Sequence, residues 1–118
     1  MFIVLYVSKD VEQADDMLKL WHEAGISGVT ILESYGLQQL KGIMDDVGVL
    51  PSLTKLMQSR ERHHRTIFSA VKDQATLDNI IRVSTEFAGD WTRPDVGVLL
   101  VWPLAQAFGL DKKFDEGE

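Results

Sequence analysis

The same strand–helix–glycine order occurs twice in this chain, and that repetition constrains the fold more than any single motif. Phe2 to Val7 is strand-like and leads through Ser8-Lys9-Asp10 into a helical pattern that stops at Ala24-Gly25, before a second strand-like run, Val29 to Leu32. Thr66 to Val71 leads through Lys72-Asp73 into another helical pattern that stops at Ala88-Gly89, before Val96 to Trp102. In the first helix Val11, Ala14, Leu18 and Trp21 recur at helical spacing, with Met17, Leu20 and Ala24 widening the apolar stripe. Asp10 stands where an N-cap belongs, and Gln13 is placed to complete a capping box. Leu77, Ile80, Ile81 and Phe87 mark the apolar face of the second helix. Gly25 suits the left-handed backbone that ends a helix, where a Cβ would be costly.

Two β-α-β units in series give the order βαββαβ. That order fits an α+β, ferredoxin-like sandwich, a four-stranded antiparallel sheet with two helices on one face. Strands are expected near 2–8, 28–35, 64–72 and 95–102, and helices near 11–24 and 74–88. Residues 1–110 then make one domain, and 111–118 a polar tail that frays.

The strand composition carries a second constraint. A sheet with one wet face should alternate apolar and polar residues. Phe2-Ile3-Val4-Leu5-Tyr6-Val7 and Val98-Leu99-Leu100-Val101-Trp102 do not alternate. Two helices cover only one face, so the other face needs either a second copy of the chain or the residues after Pro103 folding back over it.

From Gly36 to about Arg62 nothing reads as a strand, although a ββ connection is commonly about two to five residues long. Loops of this length are usually functional or disordered. With glycines at 36, 42 and 48, this one is expected to become ordered only with a ligand or partner; the alternative is a surface excursion with a small satellite core. It ends in Arg60-Glu61-Arg62-His63-His64-Arg65, a basic cluster in a chain of net charge -6. Guanidinium forks there suit an anionic ligand, or simply keep the start of a strand solvated.

Composition removes several classes. There is no Cys, hence no disulfide, thiolate site or Cys nucleophile. The acidic balance argues against general nucleic-acid binding, and no apolar run approaches the length needed to cross a bilayer. The first residues lack signal-peptide features, so a cytoplasmic location is expected. His63 and His64 would point to opposite faces of a strand and cannot chelate one ion, and no metal site is expected. Asp15-Asp16 and Asp45-Asp46 lack the apolar surroundings that acid–base chemistry needs, and no nucleophile motif is present. The chain is not expected to be an enzyme.

The run Gly25-Ile26-Ser27-Gly28-Val29-Thr30-Ile31-Leu32-Glu33-Ser34-Tyr35-Gly36 resembles the second strand of the nitrogen regulatory P-II signalling proteins, with its Gly-Ile-x-Gly-x-Thr turn and Glu-x-x-Gly end. Tyr35 to Gly42 is similar to the start of that family's T-loop. The resemblance implies a homotrimer built by face-to-face sheet packing, an adenine nucleotide or other small-molecule effector bound between subunits, and a protein partner reached through loop 36–62. Nitrogen regulation is the process it implies. Carried over residue by residue, the ligand site comprises Gly28, Thr30, Gly36, Gln38, Gln39, Gly89 and Arg93; the partner surface comprises Lys41, Leu53, Lys55, Arg60 and Arg62. The stretch Ala88 to Asp95 lacks the glycine-rich phosphate cradle of the family, so ATP is expected to bind more weakly than the family pattern implies. The alternative is a CutA-like or other ferredoxin-like oligomer with a metal-binding, structural or small-enzyme role.

Overall fold

Two aspartates set the two helices. Asp10 is extended, and its carboxylate accepts the Gln13 N–H at 2.8 Å; Asp73 does the same for Thr76 at 2.7 Å. Each satisfies a backbone donor that the first turn of a helix leaves orphaned. The computed structural model describes residues 1–34 and 64–111. Along these the elements are β1 (Phe2–Val7), α1 (Val11–Glu23), β2 (Thr30–Ser34), β3 (His64–Val71), α2 (Gln74–Ala88) and β4 (Val98–Pro103). Loop 36–62, with the partner surface expected on it, and the tail beyond residue 111 lie outside the described residues.

The strands form one sheet in the order β2-β3-β1-β4, antiparallel at every pairing. This is the α+β, ferredoxin-like arrangement expected from the repeat. β1 sits at the centre, with Tyr6 opposite Ile67 on one side and Leu99 on the other. Both helices end at glycines with positive φ, Gly25 at +114° and Gly89 at +78°. Such angles favour a residue with no Cβ. The helix spans match expectation closely, while β2 begins two and β4 three residues later than the expected strand bounds.

Period-two geometry sorts the sheet. Val4, Tyr6, Ile67 and Val71 face the helices and are buried against Ala14, Met17 and Trp21 of α1 and Leu77 and Ile80 of α2. Trp21 is the largest fully buried side chain, and its indole N–H donates to Ser84 Oγ at 2.9 Å, joining α1 to α2 through the core. That bond gives a buried polar hydrogen a partner, which a large apolar ring needs if it is to be buried whole. Ser69, also on this face, donates to the Gly28 carbonyl and fixes the approach to β2.

The opposite face presents Ile3, Leu5 and Val7 of β1, Phe68 of β3, Leu32 of β2, and Val98, Leu100 and Trp102 of β4. Leu32 and Val98 are each 52% exposed, Leu100 48% and Trp102 42%. The chain after Pro103 does fold back, through Leu104 N–H to the Met1 carbonyl and an ion pair between Lys72 and Asp111. Its described part, to residue 111, brings Leu110 near Ile3 and Phe68 at one corner of the face and leaves Phe108 almost fully exposed.

Candidate functional site

At the end of the sheet where β1 stops and β4 starts, two turns meet: residues 8–10 and the loop 89–97. Ser8 is fully buried; its Oγ lies 2.8 Å from the carbonyl oxygens of both Asp10 and Arg65, and accepts the Arg65 N–H at 3.2 Å. Gln13 links the turns. Its Oε1 accepts the Lys9 N–H at 2.9 Å and, more weakly, the Tyr6 hydroxyl at 3.4 Å. Its Nε2 donates to the Asp95 carbonyl at 2.7 Å. The expected capping box is therefore displaced by one residue, onto Lys9, and the second half of the Gln13 amide holds the loop. A glutamate there could accept from Lys9 but not donate to Asp95.

The loop is tied at further points. The Trp91 ring meets Tyr6 edge to face with centroids 6.3 Å apart, and its N–H donates to Thr85 at 3.2 Å. Burial pushes the Tyr6 phenol above its ordinary range, an effect opposed by the Gly97 backbone and reinforced by the Asp10 charge. Gly97 is buried, and a Cβ built on it would stand 2.0 Å from the Val7 carbonyl oxygen and 3.0 Å from the Tyr6 ring. No other residue fits there without moving β1 or β4. Asp90 accepts from both the hydroxyl and the N–H of Thr92, which holds its carboxyl below the usual range, helped by Arg93. Arg93 forms a two-pronged ion pair with Asp95, Nε to Oδ1 at 3.1 Å and Nη2 to Oδ2 at 2.8 Å.

Gly89 and Arg93 thus share one loop, at the β4 edge. Gly28 and Thr30 lie elsewhere: they line a cleft of about 380 Å³ beside β2, with Phe68, Lys72 and Leu110. β2 and β4 are opposite edges of the sheet, three strand spacings or about 14 Å apart. One protomer therefore does not bring the two groups together. Gly36, Gln38 and Gln39 lie outside the described residues.

The described part of the basic cluster is committed internally. Arg65 reaches Asp15 on α1 at 3.4 Å and Glu33 on β2 at 3.3 Å, and is only 21% exposed. His64 is held below its ordinary pKa, first by burial and then by the Lys9 ammonium. Among the described residues no group of three or more His, Asp or Glu is placed to hold a metal ion, and no helix is long and apolar enough to cross a membrane.

Three residues that shape this region were not legible as site residues. Asp95 carried a signal, an acid two positions after an arginine in a turn. Gln13 read only as a cap, and Gly97 as an unremarked position in a strand. The fold defines a ferredoxin-like α+β protein whose outer sheet face is apolar and, among the described residues, exposed. No protein-family model matches the chain, and no curated protein matches it.

Proposed function

We propose that this chain is a P-II-like regulatory subunit: a homotrimer packed through the outer sheet faces, binding a small-molecule effector between subunits and signalling to a protein partner through loop 36–62. The observation that carries the reading is the apolar face itself. Leu32 on β2 and Val98, Leu100 and Trp102 on β4 are exposed on one face, with Phe68, Ile3, Leu5 and Val7 between them, and nothing among the described residues covers that face; apolar surfaces of this kind mark interaction sites. A second copy supplies a cover of matching chemistry. It also offers the route by which Thr30 at one sheet edge and Arg93 at the other contribute to one site, each from a different protomer.

The experiment is a light-scattering mass on wild-type protein and Leu100→Lys. The wild type should give about three times the 13.3 kDa of one chain, and the variant a single chain. A wild-type mass of one chain at micromolar concentration would remove the reading. A thermal-shift screen of small molecules then tests the effector, since ligand at about a hundred times its dissociation constant adds roughly 2.7 kcal/mol.

A further inference from the structure

The loop 89–97 contains three ionisable side chains, two carboxylates against one guanidinium, so its net charge is negative. Both acids act on the one base. Asp90 lies close enough to Arg93 to interact electrostatically, and Asp95 grips it directly. The grip is side-on, through Nε and Nη2. A guanidinium has five N–H donors in a rigid plane; this arrangement leaves the edge formed by Nη1 and the second Nη2 hydrogen to make other bonds. The Arg93 side chain is 59% exposed. The loop beneath it is fixed by Gln13 at the Asp95 carbonyl and by Trp91 against Tyr6. The fork is therefore oriented but electrically compensated.

Resting on the reading of loop 89–97 as one wall of a ligand site, we propose that Asp95 is a specificity-determining residue. It turns Arg93 into a reader of neutral or weakly charged hydrogen-bond acceptors, such as a carbonyl beside a ring nitrogen, and excludes polyphosphate. A bare guanidinium takes phosphate bidentately and with charge assistance. Here the carboxylate of Asp95 already takes one edge, and its charge and that of Asp90 repel a polyanion approaching the other. Nothing else in the loop restores the balance, since the loop contains no lysine and no second arginine.

The test uses tripolyphosphate alone, titrated calorimetrically at low ionic strength, where surface charges are least screened. Wild type should show no saturable binding up to millimolar concentration. Asp95→Asn should gain binding at least tenfold tighter than the wild-type limit, and Arg93→Ala in the Asp95→Asn background should lose the gain. The Asp95 carbonyl that anchors the loop survives the substitution, and Asp95→Ala provides a second variant should the asparagine disturb the turn. Tight tripolyphosphate binding by wild type, no gain in either Asp95 variant, or a gain that survives Arg93→Ala would each overturn the proposal. The mass of every variant is measured in the same buffer. A one-chain mass would count against the trimer and leave this comparison to be decided by the titrations alone.

Discussion

The side-chain amide of Gln13 donates to the backbone carbonyl of Asp95 across 82 positions of sequence, at 2.7 Å, and so fastens the loop before β4 to the first turn of α1. The same amide accepts from Lys9. One side chain thereby sets the relative position of two turns that no strand pairing reaches.

Gln13→Ala should leave the fold intact and loosen loop 89–97. The loss should be roughly 1 kcal/mol in urea denaturation, as for a typical net hydrogen bond. Amide exchange should speed up at residues 90–97 far more than in β1 or β3. Unchanged protection in the loop would show that Gln13 does not hold it. Gln13→Glu, which keeps the acceptor and removes the donor, should behave like the alanine variant in the loop.

Ser84→Ala should cost roughly 1–3 kcal/mol, because it leaves the fully buried Trp21 N–H without its partner. Trp21→Phe in the Ser84→Ala background should recover part of that loss, since neither partner then carries an unmet polar group. A double variant less stable than Ser84→Ala by the full cost of the smaller ring would argue that packing outweighs the hydrogen bond.

Gly97→Ala should be among the most damaging small substitutions in the chain. A methyl 2.0 Å from a backbone oxygen forces β1 and β4 apart, and the cost should exceed about 3 kcal/mol, the upper end of ordinary overpacking. Gly28→Ala is the control: a Cβ there meets nothing within 4 Å, and its effect on the melting temperature should be slight. Equal effects of the two would contradict the packing described for β4.

Acid should act in two stages. The fold favours neutral His64, so its contribution to stability is complete above the ordinary histidine value of 6.5 and is lost as pH falls through 6.5 toward the lower folded value. Asp73 and Asp90 are held below their ordinary 3.8 by hydrogen bonds to Thr76 and Thr92. Their contribution is present above 3.8 and disappears as pH falls below it. Urea midpoints measured from pH 8 to pH 3 should show both stages, and His64→Gln should flatten the upper one alone. A His64→Gln profile superimposable on wild type would place the upper stage on another group.

How far the sequence could be read follows from what kind of physics each feature uses. Asp10, Gly25 and the apolar stripe from Ala14 to Trp21 act within a few residues of themselves and located the first helix, as Leu77, Ile80 and Gly89 located the second. The failure of β1 to alternate announced the second apolar face, because period two is a property of the strand alone. Gln13 and Asp95, Trp21 and Ser84, and Gly97 and Val7 are different. Each pair meets only after the sheet has formed, so neither member carries a mark of the other. Arg93 read as a ligand-binding residue, and its partner Asp95, two residues on, meets it only when the turn bends back. Thr30 and Arg93 shared a motif resemblance, but strand order places them at opposite edges of one chain.

The central position of β1 has a consequence for how the chain is made. Residues 2–7 emerge from the ribosome early, yet one side of that strand pairs with residues 98–103, through Phe2 opposite Pro103 and Val7 opposite Val98. Until β4 has been synthesised, the edge of β1 that pairs with it lacks that partner. High sequence separation between paired strands slows folding and prolongs exposure of such edges. A chain ending before residue 98 therefore lacks the partner of one β1 edge, and an unpaired apolar strand of this kind is a template for pairing with a neighbouring chain.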